Sequence, residues 1–201
     1  MTAVKICGIT RREDAEAAAR FGASYVGFVL WPNSPRAATP EQVRAIVPSL
    51  PANVTPVGVF VDPTAAEINA AADAGIRIAQ VHSNSAAPLT EARIPVIRAV
   101  HLAVTGDGVE PDVRDQLILL DAHDPVKHGG TGKTVDWPRA GQVAKTRRVI
   151  LAGGLTPSNV RQAIEQVRPF AVDVASGVES SAGIKDHELI KAFITAVKET
   201  V

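Results

Sequence analysis

A closed (β/α)₈ (TIM) barrel with some short or missing connecting helices is the fold this sequence predicts. Three observations predict it. Eight apolar runs of strand length recur along the 201 residues. Several of them are continuous Val/Ile/Leu rather than alternating, the pattern of strands buried on both faces. Segments of helical period follow most of them, and eight strands alternating with helices close most simply into a ring. An open doubly wound sheet is the competing arrangement of the same elements. The length fits one domain or at most two small ones, and the expectation is a single barrel domain over residues 1–201.

The strand runs, in order, are Ala3–Cys7, Tyr25–Leu30, Pro56–Val61, Arg77–Val81, Val96–Val100, Leu117–Leu120, Val149–Ala152 and Ala171–Ala175. Helix starts are marked locally. Thr10-Arg-Arg-Glu13 and Thr64-Ala-Ala-Glu67 have the spacing of a capping box, in which a hydroxyl and a carboxylate satisfy free N–H groups reciprocally. Thr39-Pro40 and Thr156-Pro157 put a cap residue ahead of a proline at the first helical position. Val43, Ile46, Val47 and Leu50 form one apolar stripe, and Leu189, Ile190, Phe193, Ile194 and Val197 form another. Within Ser83–Arg93 and Ala103–Asp115 the connecting helices read as short or absent.

Composition narrows the function. Lys+Arg and Asp+Glu are both 21, so the formal net charge is zero. That disfavours duplex nucleic acid or an anionic membrane as a partner. Aromatics are 4%, too few for a row of base-stacking platforms. The longest strongly apolar stretch, Tyr25 to Trp31, is far short of the roughly 18 residues that span a bilayer. A single Cys allows no internal disulfide and no Cys cluster for zinc. No basic-then-apolar leader precedes Val4. The expectation is a cytoplasmic protein, monomer or homodimer, acting on a small molecule.

In either fold the functional residues belong where strands end and loops begin. Strand 1 ends in Cys7-Gly8. A thiol there is a small buried hydrophobe or, with a depressed pKa, a base or nucleophile. Strand 6 ends Leu119-Leu120-Asp121, and this Asp is a helix cap or a catalytic carboxyl. The long loop Ala122–Thr134 that follows favours the second. Gly129-Gly130-Thr131-Gly132-Lys133-Thr134 resembles a phosphate-binding P-loop, but the full motif needs Gly where Lys127 stands. A glycine-hinged active-site flap fits better. Strand 7 ends Ala152-Gly153-Gly154-Leu155, and strand 8 ends Ala175-Ser176-Gly177-Val178-Glu179. These are tight turns or, with backbone N–H groups of Gly153–Leu155 and Ser176–Gly177 as donors, a phosphate cradle; two glycine-bearing loops on adjacent strands favour the second. Strand 2 runs on into Trp31-Pro32-Asn33-Ser34-Pro35-Arg36, where two prolines stiffen the loop and Arg36 is either a solvated surface residue or a ligand-binding group aimed across the mouth. Arg suits a carboxylate through bidentate hydrogen bonds. Finally, Lys5 and Asp173 fall on strands that pair when the barrel closes, which predicts an ion pair one layer below Cys7.

These motifs resemble the phosphoribosylanthranilate isomerase family of tryptophan biosynthesis over essentially the whole chain. The segments that carry the resemblance are Lys5–Gly8, Gly27–Arg36, Val57–Val61, Leu119–Asp121, Gly129–Trp137, Leu151–Leu155 and Asp173–Glu179, in that order. One departure is Ser83, where the family usually has Gly after the His at 82. The resemblance implies isomerisation of N-(5-phosphoribosyl)anthranilate to 1-(2-carboxyphenylamino)-1-deoxyribulose 5-phosphate by an acid/base Amadori rearrangement. It implies Asp121 as general acid and Cys7 as base. The phosphate and carboxylate of such a substrate suit the cradle and Arg36 read from the residues. Such a reaction needs only proton transfers, so no metal or redox cofactor is expected. A metal-dependent phosphosugar epimerase would want more His and Asp at strand ends than His82 and Asp121. An indole-forming synthase would carry Lys at strand ends, whereas Lys5 lies inside strand 1. A non-catalytic phosphate-binding barrel would have no reason to hold both Cys7 and Asp121.

Overall fold

Eight parallel strands pair in chain order and close into a ring in the computed structural model, which describes residues 1–83, 89–101, 117–121 and 136–200. They are β1 (Ala3–Cys7), β2 (Tyr25–Val29), β3 (Thr55–Val61), β4 (Ile78–His82), β5 (Val96–His101), β6 (Leu117–Asp121), β7 (Arg148–Leu151) and β8 (Ala171–Val174). The open doubly wound sheet is thereby set aside. Closure is made by β1 against β8, with Lys5 opposite Asp173 and Ile6 opposite Val174.

The strand alternation of period two divides the buried side chains between two cores. Val4, Ile6, Val26, Phe28, Ile118, Leu120, Val149, Leu151, Val172 and Val174 point outward and pack against the helices. Ile97, Ala99, Leu119, Ile150, Ala152 and Ala171 point inward and plug the barrel. This is why the runs read as continuously apolar: both faces of each strand are covered. Lys5 and Asp173 share that interior, 1% and 8% exposed.

The described helices are α1 (Arg12–Phe21), α2 (Pro40–Ile46), α3 (Ala65–Asp73), α4 (Trp137–Ala144), α5 (Val160–Val167) and α6 (His187–Lys198). Two local start signals hold. The Thr39 and Thr64 hydroxyls accept from the N–H groups of Gln42 and Glu67, whose side chains reach back to the cap residues. Two do not. Arg11, not Thr10, is the residue before α1, and the Thr10 hydroxyl donates to the carbonyl of Gly183, 2.5 Å away. A tertiary acceptor has taken the group that the capping box would have used. Likewise α5 starts at Val160, a turn later than Thr156-Pro157 predicts. The Asn159 carboxamide accepts from Thr156 N–H at 2.8 Å and donates to the Gly154 carbonyl at 2.9 Å, bracing that turn instead.

Of the two predicted stripes, Val43 and Ile46 are buried, as are Ile190, Phe193, Ile194 and Val197, whereas Leu189 is 36% exposed. Between β4 and β5 the described residues, 89–95, form turns and no helix. The rest of the expected gap there, residues 84–88, and all of Ala103–Asp115 lie outside the described residues. After β8 the chain makes a single 3₁₀ turn at Ser176–Val178, then a small antiparallel hairpin, β9 (Glu179–Ser181) and β10 (Ile184–Lys185), before α6. Nothing in the periodicity predicts that hairpin, because its strands are too short to carry an alternation.

Candidate active site

The C-terminal ends of the strands build one cavity. Its lining includes Cys7 from β1, Arg36 from the loop after β2, Asp121 from β6, Gly153–Leu155 after β7 and Ala175–Ser176 after β8. Each of these is a site residue expected from the sequence, apart from Ala175. Gly177 is the one predicted binding residue outside the lining. Its role is one of fit: a Cβ there would lie 1.9 Å from the Leu155 carbonyl oxygen, so the two loops approach as closely as they do only with glycine at 177. The predicted flap at Gly129–Thr134 lies outside the described residues.

The two loops form the floor of one side. Gly153 and Gly154 have φ of 94° and 64°, values that glycine adopts without a steric cost. The N–H groups of Gly153, Gly154, Leu155, Ser176 and Gly177 make no hydrogen bond to any described residue. Free N–H groups on two adjacent loops are what an oxyanion such as phosphate binds.

Across the mouth, Arg36 is 19% exposed in its side chain and is held by Glu179. Its Nε donates to the carboxylate at 2.9 and 3.1 Å and its Nη2 at 2.8 Å. Gly8, the residue after Cys7, leaves room for this arm: a Cβ there would press to 2.8 Å from Arg36 Cδ. The Ser34 hydroxyl accepts from Arg36 N–H and fixes the bend of the loop. Glu179 also accepts from Lys185 Nζ at 2.8 Å and from Gly183 N–H at 3.2 Å. Burial works to raise the Glu179 pKa, but the Arg36 and Lys185 hydrogen bonds outweigh it and hold the carboxyl below the usual range. Glu179, Lys185 and Asn159 are site-building residues that sequence reasoning missed. Their partners are far along the chain or within an irregular turn, where no periodic signal exists.

Cys7 is 7% exposed and faces the cavity above the buried Lys5–Asp173 pair. Burial raises the thiol pKa, Lys5 opposes that and Asp173 adds to it, so the net direction is upward. Lys5 favours the thiolate but does not outweigh burial. Asp121 enters the same cavity from β6, and β6 is not a neighbour of β1 in the ring. Thiol and carboxyl thus approach the cavity from different sectors. Ser83, the departure noted above, donates its hydroxyl to Asp62 Oδ1 at 2.5 Å, tying the end of β4 to the end of β3.

The ring of strands and the mouth at their C-terminal ends define the class, a (β/α)₈-barrel enzyme. The comparisons give the family. The model of the N-(5'-phosphoribosyl)anthranilate (PRA) isomerase family matches residues 4–196, and the chain belongs to that family. It is 44% identical to N-(5'-phosphoribosyl)anthranilate isomerase of Pelobacter propionicus over 204 aligned positions, covering 100% of this chain and 97% of that one. Among solved structures, phosphoribosyl anthranilate isomerase from Thermotoga maritima superposes with a TM-score of 0.86 at 42% identity, covering 98% of this chain and 99% of that chain. A phosphoribosyl anthranilate isomerase in complex with reduced 1-(o-carboxyphenylamino)-1-deoxyribulose 5-phosphate superposes with a TM-score of 0.82 at 40% identity, over 98% and 99% of the two chains.

Proposed function

We propose that this protein, working as one catalytic domain, isomerises N-(5'-phosphoribosyl)anthranilate to 1-(2-carboxyphenylamino)-1-deoxyribulose 5-phosphate in tryptophan biosynthesis. Family membership and the neighbour bound to the reduced product support the substrate. The observation that carries the mechanism is the shared cavity, lined by a thiol, a carboxyl, an arginine and two glycine loops.

In this reading the phosphate sits on the N–H groups of Gly153–Leu155 and Ser176–Gly177, and the anthranilate carboxylate meets Arg36. Asp121, protonated, gives its proton to the furanose ring oxygen. The C1–O bond breaks and the ring opens to a Schiff base. The Cys7 thiolate takes the proton from C2, and the electron pair left behind moves toward the nitrogen to give an enolamine. Tautomerisation yields the ketone. One proton is given and one taken, so the steps balance within the pair.

The deciding experiment is to follow the anthranilate fluorescence of the substrate on adding purified protein. Its loss, with appearance of the aminoketose, is expected. Unchanged fluorescence with folded protein sinks the proposal.

A further inference from the structure

Arg36 and the turn after β8 bind opposite ends of the proposed substrate, yet a short chain of buried groups joins them. Glu179 begins the β9–β10 hairpin, and its side chain is 5% exposed. Its carboxylate takes one edge of the Arg36 guanidinium, Nε and Nη2. The other edge, with Nη1, makes no hydrogen bond to any described residue, and Arg36 lines the cavity. On the far side of the carboxylate stands Lys185, whose side chain is 0% exposed. Lys185 Nζ donates both to Glu179 at 2.8 Å and to the carbonyl of Ala175 at 3.1 Å. Ala175 is the residue at which β8 turns into the Ser176–Gly177 segment of the cradle. The backbone of Lys185 is itself anchored, since its N–H donates to the buried carboxylate of Asp14 in α1 at 3.2 Å.

The charges in this chain do not cancel. Arg36 and Lys185 carry two positive charges against the single negative charge of Glu179. Asp14 does not supply the missing charge, because it is engaged by Arg11 and His187. Buried charge in excess seeks a counter-ion. The guanidinium edge left open toward the cavity has the two-pronged shape that a carboxylate fits.

We propose that Glu179 and Lys185 are positioning residues that lock the Arg36 arm to the cradle turn, so that one hydrogen-bonded frame holds both anionic ends of the substrate. This rests on the site reading given above. Glu179 acts on the carboxylate end alone, by presenting the open edge of Arg36. Lys185 acts on both ends, because it holds Glu179 and the root of the cradle turn together. Neither touches the reacting carbons.

The test uses two substrates, phosphoribosylanthranilate and its counterpart made from aniline, which lacks the carboxylate. Wild-type protein is expected to prefer the first. Glu179→Gln is expected to raise KM for the carboxylated substrate about tenfold. It should leave KM for the aniline substrate within about twofold of wild type. Lys185→Met is expected to raise KM for both and to weaken competitive inhibition by inorganic phosphate. Glu179→Asp keeps the buried negative charge but shortens its reach. It is expected to show the same selective loss to a smaller degree, and it serves where Glu179→Gln does not fold. Equal KM increases for both substrates in the Glu179 variants, or a fall in kcat alone, would make Glu179 a merely structural group and overturn the proposal. So would unaltered phosphate inhibition in Lys185→Met. A wild-type protein that does not distinguish the two substrates overturns the carboxylate role of Arg36 along with it. A wild-type protein that turns over neither overturns the function itself.

Discussion

Lys5 Nζ lies 3.0 Å from both carboxylate oxygens of Asp173, and the pair sits directly under the Cys7 thiol. The arrangement follows from the closure register, in which Lys5 stands opposite Asp173. Residues two apart on a strand share a face, so Cys7 points where Lys5 points, one layer higher. Burial works against the lysine's charge, but Asp173 and Cys7 more than restore it, and its pKa is raised. Gly27, opposite Cys7 in β2, provides the room: a Cβ there would come within 2.9 Å of Cys7 Sγ and 3.1 Å of Lys5 Nζ.

That triangle predicts shifts of opposite sign. Lys5 favours the thiolate and Asp173 disfavours it. Asp173→Asn is therefore expected to lower the thiol pKa, and Lys5→Met, studied with Asp173→Asn to avoid an orphaned carboxylate, to raise it above that of Asp173→Asn alone. Cys7 is the only cysteine, so the far-ultraviolet absorbance of thiolate against pH reads it directly. Shifts of the same sign in both proteins would show that the charges do not act on the thiol.

Cys7→Ala and Asp121→Asn are each expected to lower kcat by at least about 10²-fold, with KM moving much less, if the two groups transfer protons as proposed. The pH profile of kcat/KM should be bell-shaped. With the thiol raised by burial, its falling limb should lie on the alkaline side of an ordinary cysteine, about 8.5. Full activity in folded Cys7→Ala would remove the base from the mechanism.

In the proposed site, Arg36→Met removes a substrate contact remote from the breaking bond. A charge-assisted bond is worth roughly 1.5–3 kcal/mol, so KM should rise about ten- to a hundredfold with kcat little changed. Steady-state kinetics decide it, and a loss confined to kcat would move Arg36 into the chemistry.

Gly177→Ala tests the cradle. The added methyl would collide with the Leu155 carbonyl, so the two loops must part. KM for the phosphorylated substrate should rise strongly, as it should in Gly154→Val, whose side chain is strained at a φ of 64°. Binding of inorganic phosphate measured calorimetrically should weaken in parallel; undiminished binding in both variants rules out this cradle.

Acid should loosen the α1–hairpin junction first. Burial would raise the Asp14 pKa, but Arg11, His187 and the Lys185 N–H outweigh it and hold the group low. A carboxylate held low in the folded state contributes its full stability above its unfolded pKa, about 3.9, and loses it as pH falls below that through the folded value. Asp14→Asn should thus be less stable than wild type at neutral pH and lose less on acidification below about pH 4. Thermal unfolding at stepped pH measures this, and parallel curves for the two proteins would refute it.

Much of this was legible in the sequence because it is local or periodic. Strands covered on both faces announce themselves as apolar runs, and the Thr39 and Thr64 caps use groups within three residues. The strand-end rule placed Cys7, Arg36, Asp121 and the glycine loops at one mouth. What escaped is long-range. The Thr10 hydroxyl was claimed by Gly183, 173 residues away, and Arg36 by Glu179, 143 residues away. Lys5 and Asp173 are 168 residues apart, yet their pairing is legible in the sequence because barrel closure dictates the register. Distance defeats sequence reasoning only where no regular element fixes the geometry.

The closure seam also orders events during synthesis. β1 leaves the ribosome well before its partner β8, which is made 168 residues later, counted from Lys5 to Asp173. Until β8 docks, Lys5 has no counter-charge and must stay hydrated, which keeps that edge of the sheet open to water. Cys7 then faces solvent, the frame around Arg36 lacks Glu179 and Lys185, and half of the cradle does not exist. A nascent chain stalled before β8 therefore carries an exposed sheet edge, the kind of surface that chaperones shield. In the proposed site, competence arrives late, with the closing strand of the ring and the hairpin behind it, rather than accumulating as the barrel grows.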